Sequence, residues 1–314
     1  MSEKIRIFLV LTIAVTIAAL SGCSGTAQEA EAPSACTEIS VPWRLKQIAL
    51  DGDAGWALTL ENEILHTDQG IGEFGPVRKT EELCGGPDAF IAADFVDHET
   101  AFLTYFSEDG KDMVIDRTQD GGQSWEQTRI PHGNSSDAGF LYPSFSDPQN
   151  GFLLYCSTPG AGMMVKLLFR TTDGGETFSP VCDLTDTLTG YPQGITFYDD
   201  KNGYIGVTYH GQENYLYRTQ DGGLTWESES LPLKNKGRYI DGFAPVFRDE
   251  AGDGLLMLRV VDDAAEYRLL TTRDFGNTWT EAGTLPTETL YSYSAGRDGG
   301  LFLIDQAGVL YEYR

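Results

Sequence analysis

Beyond residue 45 the chain alternates short apolar runs with polar turns, and the runs have strand length. The run at 56–60 follows an Asp-Gly-Asp-Ala-Gly turn at 51–55, and the run at 101–105 follows the acidic turn at 97–100. The run at 152–155 follows Ser146-Asp147-Pro148-Gln149-Asn150-Gly151 and is itself followed by the run at 165–169. The same succession returns at 198–203 with Tyr215-Leu216-Tyr217, at 248–254, and at 297–300 followed by 301–304 and 309–313. Asp, Asn and Gly suit such hairpin turns, because the carboxamide and carboxylate side chains bond their own backbone and Gly accepts positive φ. The pattern predicts an all-β chain.

A more specific element punctuates the strands. Thr118-Gln119-Asp120-Gly121-Gly122-Gln123-Ser124-Trp125 is matched at 171–178 ending in Phe178, at 219–226 ending in Trp226, and at 272–279 ending in Trp279. A degenerate copy begins at His66-Thr67-Asp68-Gln69-Gly70, with Phe74 one place late. The aspartates Asp68, Asp120, Asp173, Asp221 and Asp274 recur about every 50 residues, the size of a four-stranded propeller blade. The octets resemble the Asp-box, or bacterial neuraminidase repeat (BNR). The resemblance implies a structural role for Asp120, Asp173, Asp221 and Asp274. Each carboxylate accepts bonds within its own turn, the fifth-position Gly takes a backbone conformation costly to other residues, and Trp125, Phe178, Trp226 or Trp279 folds back to bury the hairpin.

Six repeats can be counted, and the sixth stops at Arg314 without its last strand. The alternating stretch at 37–41 precedes the first repeat and is expected to supply that strand, closing the ring. The expected fold is a β-propeller of six four-stranded blades. Seven blades is the alternative, but no residues are left for one.

The first 22 residues fall outside this pattern. Lys4 and Arg6 precede a mostly apolar run at 5–20, too short for a comfortable membrane span, which ends in Leu20-Ser21-Gly22-Cys23. That ending resembles the bacterial lipobox, which implies cleavage before Cys23, lipidation of its thiol, and attachment to a membrane by acyl chains. The division expected is a signal peptide over 1–22, a lipidated Cys and Ser/Gly/Ala/Glu/Pro-rich tether over 23–35, and one propeller over 36–314. The protein is expected to be exported, lipid-anchored, and outward-facing or periplasmic. Such a compartment permits disulfides, and Cys36, Cys84, Cys156 and Cys182 allow three pairings that sequence does not choose between.

A formal net charge of −25 repels phosphate backbones and argues against nucleic acid as a partner. No Cys-x-x-Cys pair occurs, His66, His98, His132 and His210 lack metal spacing, and the acidic turn at 249–253 lacks regular calcium-ligand spacing. Neither metal nor cofactor is expected. His132 and His210 are expected on surface loops.

In a propeller the loops leading into the innermost strands lie opposite the Asp-box turns, and ligands usually sit there. Alignment of the repeats brings Tyr142, Tyr191, Arg238, Tyr239, Asp241 and Tyr291 to that mouth, with Arg44, Lys46, Pro87, Asp88, Gln193 and Tyr293 nearby. Aromatics with a few charges suit a ligand surface. The resemblance also raises sialidase activity, which uses three arginines, a Tyr nucleophile beside a Glu, and an Asp acid/base. The Phe/Tyr-Arg-Ile-Pro motif expected ahead of the first box is missing. Arg129-Ile130-Pro131 follows a box instead, and Arg117, Arg170 and Arg218 sit on the box side. Only Arg44, Arg129 and Arg238 are left for a clamp. The repeat style is also similar to that of photosystem II assembly factors and sortilin ectodomains. The expected function is therefore a monomeric, non-catalytic binding or scaffold module for a glycan or protein partner, and the alternative is a glycoside hydrolase.

Overall fold

A computed structural model describes residues 36–79, 90–132, 139–160, 163–209, 211–285, 289–295 and 300–313. The expected signal peptide, Cys23, the tether, Cys84, Pro87, Asp88, His210 and the turn at 297–299 lie outside the described residues. The described residues form an all-β propeller of four-stranded antiparallel blades.

Blade 1 comprises Leu45–Asp51, Ala54–Thr59, Ile64–Thr67 and Gly75–Arg78, and blade 2 comprises Ala92–Phe95, Ala101–Phe106, Asp112–Thr118 and Glu126–Pro131. Blade 3 is Phe140–Phe145, Gly151–Cys156, Lys166–Thr171 and Ser179–Asp183, and blade 4 is Tyr191–Phe197, Gly203–Tyr209, Leu216–Thr219 and Glu227–Ser228. In blade 5 the first strand is interrupted, Tyr239–Gly242 then Val246–Phe247, before Asp253–Val261, Ala265–Arg273 and Thr280–Leu285. Blade 6 is Leu290–Ala295, Leu301–Asp305 and Leu310–Tyr313, and its fourth strand is Cys36–Ile39 from the other end of the chain. The strand expected at 37–41 therefore closes the ring, in the register Cys36 to Tyr313 and Ile39 to Leu310. These six groups account for every strand among the described residues.

The second strands are buried along nearly their whole length, which is why they read as unbroken apolar runs. Their aromatics set the blade-to-blade packing. An aromatic in the second strand of one blade stacks on the last Phe of the next blade's first strand. Trp56 lies 5.8 Å from Phe95, Phe102 lies 3.5 Å from Phe145, and Phe152 lies 3.5 Å from Phe197, all near-parallel. The residue paired with that Phe must be small. A Cβ on Gly151 would stand 2.4 Å from the Phe145 ring, and one on Gly203 would stand 2.8 Å from Phe197.

The four clear boxes share one bond pattern. In the second, Asp173 Oδ1 accepts the Thr177 N–H at 2.9 Å and Oδ2 accepts the Thr177 hydroxyl at 2.6 Å. Thr171 Oγ1 donates to Asp173 at 2.8 Å and accepts the Gly175 N–H at 2.9 Å. The Thr177 hydroxyl and N–H hold the Asp173 carboxyl down at about 2. The fourth and fifth positions both take positive φ, as at Gly174 (69°) and Gly175 (84°). In the last box the fourth position is Phe275, at 56°, a conformation that costs a non-Gly residue of order 1 kcal/mol. Its ring stacks on Tyr198 at 4.4 Å, which offsets that cost.

The box aromatic differs from expectation. Trp226 packs with Phe152 and Leu168 of blade 3 as well as Phe197 of its own blade, and Trp125 meets Trp56 of blade 1. It seals a seam between blades rather than only its own hairpin. Arg117 extends the stapling by donating to the Gly174 carbonyl of the next box at 2.8 Å, and Arg218 donates to Asn277 at 2.8 Å. In the degenerate first copy Thr67, paired to Gly55 as Thr118 is to Ala101, takes the box's first position, so Gln69 stands where the other boxes have Asp, and Asp68 falls one place early with its side chain exposed.

Candidate functional site

The first strands of the blades neighbour one another and enclose a central cavity of about 1970 Å³. The hairpins between first and second strands lie on the Asp-box side. The Gly121, Gly174 and Gly222 N–H groups of the boxes bond to Glu99, Gln149 and Lys201 in those hairpins. The loops leading into the first strands therefore open on the opposite side, the mouth.

Of the residues expected at the mouth, Tyr142, Tyr191, Asp241 and Tyr291 share the cavity wall, with Lys46 and Gln193. Arg238 and Tyr239 do not. Arg238 lies outside the wall because the hairpin opposite it offers two carboxylates: its Nη2 stands 2.9 Å from Asp263 and its Nε 3.3 Å from Asp262. Tyr239 sits on the strand paired to Val261 and bonds Arg259. Tyr142 is half-buried. Its hydroxyl donates to the Pro192 carbonyl at 3.0 Å, its ring packs beside Phe90 and Phe140, and burial pushes its pKa above the ordinary tyrosine value. Tyr293 is half-buried and also lines the cavity. Tyr191 and Tyr291 are exposed, at 37% and 42%. Of the exposed large hydrophobics among the described residues, Phe90, Met163, Tyr191, Tyr209 and Tyr291 lie on the mouth side and only Leu224 on the Asp-box side.

The regular wall fails at one place. The first strand of blade 5 pairs outward with the second strand of blade 4, Thr208 to Asp241 and Tyr209 to Ile240, so blades 4 and 5 form one continuous sheet. Close backbone approach requires glycine here: a Cβ on Gly206 would stand 2.3 Å from the Phe243 backbone, and one on Gly242 would stand 2.0 Å from the Tyr215 carbonyl. The strand then breaks at 243–245, where Pro245 has no N–H to give. Tyr293 fills the gap, donating to the Ala244 carbonyl at 2.6 Å and accepting the Met257 N–H at 3.3 Å. The cavity consequently reaches outward to Tyr267 on the third strand, which it does in no other blade among the described residues. In this recess Arg259 donates to Asp241 at 2.9 Å. The paired guanidinium and carboxylate offer donors and an acceptor side by side.

On the opposite wall Asp94 takes a different role. Its Oδ2 accepts the Phe145 N–H of the next blade at 2.5 Å, as Ser144 Oγ accepts the Phe197 N–H at 2.7 Å one blade on. Burial raises the Asp94 carboxyl to about 7, against the lowering effect of the Phe145 and Phe95 N–H groups.

Sequence reasoning missed Phe90, Asp94, Arg259 and Tyr267. The signals were there for two features: Arg259 interrupts an apolar run at 255–261, and Pro245 falls inside a first strand. His132, expected on the surface, is 4% exposed and stacks on Tyr155 at 4.9 Å. Cys156 and Cys182 are free thiols, pushed by burial up to about 12 and about 11. The acidic turn at 249–253 bonds itself, with Asp249 accepting the Ala251 and Asp253 N–H groups.

Residues 88–230 match the family described as photosynthesis system II assembly factor YCF48. A curated sialidase from Bacteroides fragilis is 26% identical over 210 residues, 54% of this chain but only 37% of that protein's length. Among solved structures, YCF48 from Cyanidioschyzon merolae aligns with a TM-score of 0.54 at 16% identity, covering 90% of this chain and 99% of that one. The six-bladed Aleuria aurantia lectin aligns with a TM-score of 0.52 at 11% identity, covering 82% and 85%. The structural likenesses are of fold. Fold and repeat together define a β-propeller built on Asp-box turns. The repeats and the fold support a place among the BNR, sialidase-like propellers.

Proposed function

We propose that this protein is an exported, lipid-anchored binding module that receives a protein partner at the mouth of its channel. The observation that carries this reading is the mouth itself, a wide cavity with Tyr191, Tyr291 and Phe90 exposed on its lining and the Arg259–Asp241 pair recessed in its wall. Cavities for small ligands run to ~300–1,000 Å³, so a volume of about 1970 Å³ suits a segment of a larger partner. The matching family's description as an assembly factor supports a protein partner. Anchoring rests on the lipobox-like ending at Cys23.

The sialidase relative motivates glycoside hydrolysis as a second reading. The arginines left for it diverge: Arg44 turns to Glu61, Arg129 to Gln127, and Arg238 to Asp262 and Asp263. A photo-crosslinking residue placed at Tyr291, and at Leu224 as the opposite-side control, tests the binding reading in the producing cell. Adducts from position 291 alone support it. Adducts from 224 alone, or turnover of fluorogenic glycosides lost on changing Arg259, replace it.

A further inference from the structure

We infer that the Asp-box side of the propeller is its membrane-proximal side, so that the channel mouth is presented away from the lipid surface. The inference rests on the anchoring at Cys23 proposed above. It follows from the direction of one strand. Leu310–Tyr313 leaves the loop at 306–308, which lies at the mouth because the Leu45 N–H bonds the Gly308 carbonyl where blade 1 begins. That strand therefore ends on the Asp-box side. Cys36–Ile39 runs antiparallel to it with Cys36 opposite Tyr313, so the chain enters the fold at the Asp-box rim and reaches the mouth only after Ile39.

Between Cys23 and Cys36 lie 12 residues. A connection of that length spans at most ~45 Å fully extended, and Gly/Ser-rich linkers of that length average ~20 Å end to end. Strands of six residues make the side wall ~20 Å tall before its turns are added. With the Asp-box side down, the connection has no wall to cross. With the mouth down, it must climb the whole wall and pass the rim, beyond its relaxed length. That orientation is disfavoured by roughly an order of magnitude.

Charge sets the spacing rather than the direction. The four box aspartates and the turn residues Asp97, Asp147, Asp199 and Asp249 all face the Asp-box side. On anionic lipid they keep this side about one screening length, ~8–10 Å, from the headgroups. A connection of ~20 Å accommodates that gap without inverting the domain. The exposed apolar side chains of the mouth then face outward.

The test uses the full acylated chain in phosphatidylcholine vesicles carrying a headgroup acceptor dye. A genetically encoded fluorescent residue replaces Leu224 on the Asp-box side or Met163 on the mouth side, positions equally exposed at 64% and 65%. Transfer to the headgroups is expected to be several-fold stronger from 224 than from 163. Equal transfer, or stronger transfer from 163, overturns the orientation while leaving the anchor intact. Absence of acyl mass on Cys23 overturns the anchoring and the orientation with it. A 30-residue flexible insertion after Ser34 is expected to shrink the difference, and an undiminished difference refutes the tether argument.

Discussion

Asp94 offers the sharpest test of how neighbouring blades are fastened at the channel wall. Its carboxylate and the Ser144 hydroxyl do the same job in successive blades, each accepting the N–H of the Phe that ends the next first strand. Only Asp94 can ionise, and burial raises it to about 7 from an ordinary 3.8. The folded protein therefore holds that proton more tightly than the unfolded chain does. Any stability linked to it is fully present below pH 3.8 and lost as pH rises towards 7. At ~1.36 kcal/mol per pH unit the loss is at most ~4 kcal/mol, and partial contact with channel water brings it to ~2 kcal/mol.

The perturbation is Asp94→Ser, which installs the residue found at the next latch. Thermal unfolding of wild type and variant is followed by circular dichroism from pH 4 to 8. The other carboxylates titrate in both proteins, so the difference between the two curves isolates position 94. Near pH 4 the wild type is expected to match or exceed the variant. By pH 8 the variant should have gained ~2 kcal/mol relative to wild type, a midpoint change of roughly 4 °C for a domain of this size. A difference independent of pH, or one that moves in favour of wild type as pH rises, refutes the assignment of Asp94 as a buried latch that prefers its proton.

Other parts of the fold give direct tests. Asp173→Ala removes three accepted bonds and should lower stability by ~1–2 kcal/mol in neutral denaturant melts. Because the Asp173 carboxyl is held near 2, its contribution is present above 3.8 and lost as pH falls through about 2, so the variant's deficit should shrink in acid. Gly151→Ala puts a Cβ 2.4 Å from the Phe145 ring that stacks on Phe102, and should cost ~1–3 kcal/mol in the same melts. Tyr293→Phe leaves the Met257 N–H and the Ala244 carbonyl without their hydroxyl partner. A loss of ~1–3 kcal/mol is expected, with faster amide exchange at Met257 than at Leu269 on the neighbouring strand.

The propeller was legible because its defining features are local. An Asp-box is complete within eight residues, and its bonds run between positions one, three, five and seven, so four copies announce four hairpins with their register. Ring closure was legible for a related reason: a sixth repeat missing its last strand, together with an unassigned alternating stretch at 37–41, admits one economical solution. The first box marks the limit. Its Thr and Asp are present but adjacent, so Gln69 takes the place of the bonding Asp, and composition alone does not register that one-residue slip.

The mouth was only half legible, and the reason is geometric. Repeat alignment locates an equivalent height on each blade but not the direction of a side chain there. Tyr142, Tyr191 and Tyr291 read alike in sequence, yet one turns its hydroxyl to a backbone carbonyl while two remain exposed. Arg238 and Arg259 were separable only through pairing. The hairpin facing Arg238 carries Asp262 and Asp263 and draws it out of the channel, whereas Arg259 faces Asp241 and stays in the wall. That pairing depends on the seam between blades 4 and 5, set by the close approach of Gly206 and Gly242 across 36 residues of chain and by a proline that breaks the strand after them. Repeat-by-repeat reading assumes that every blade is built alike. The recess holding Arg259 exists because blade 5 is not, so a search for sites in such a fold gains most from the positions where the repeat fails.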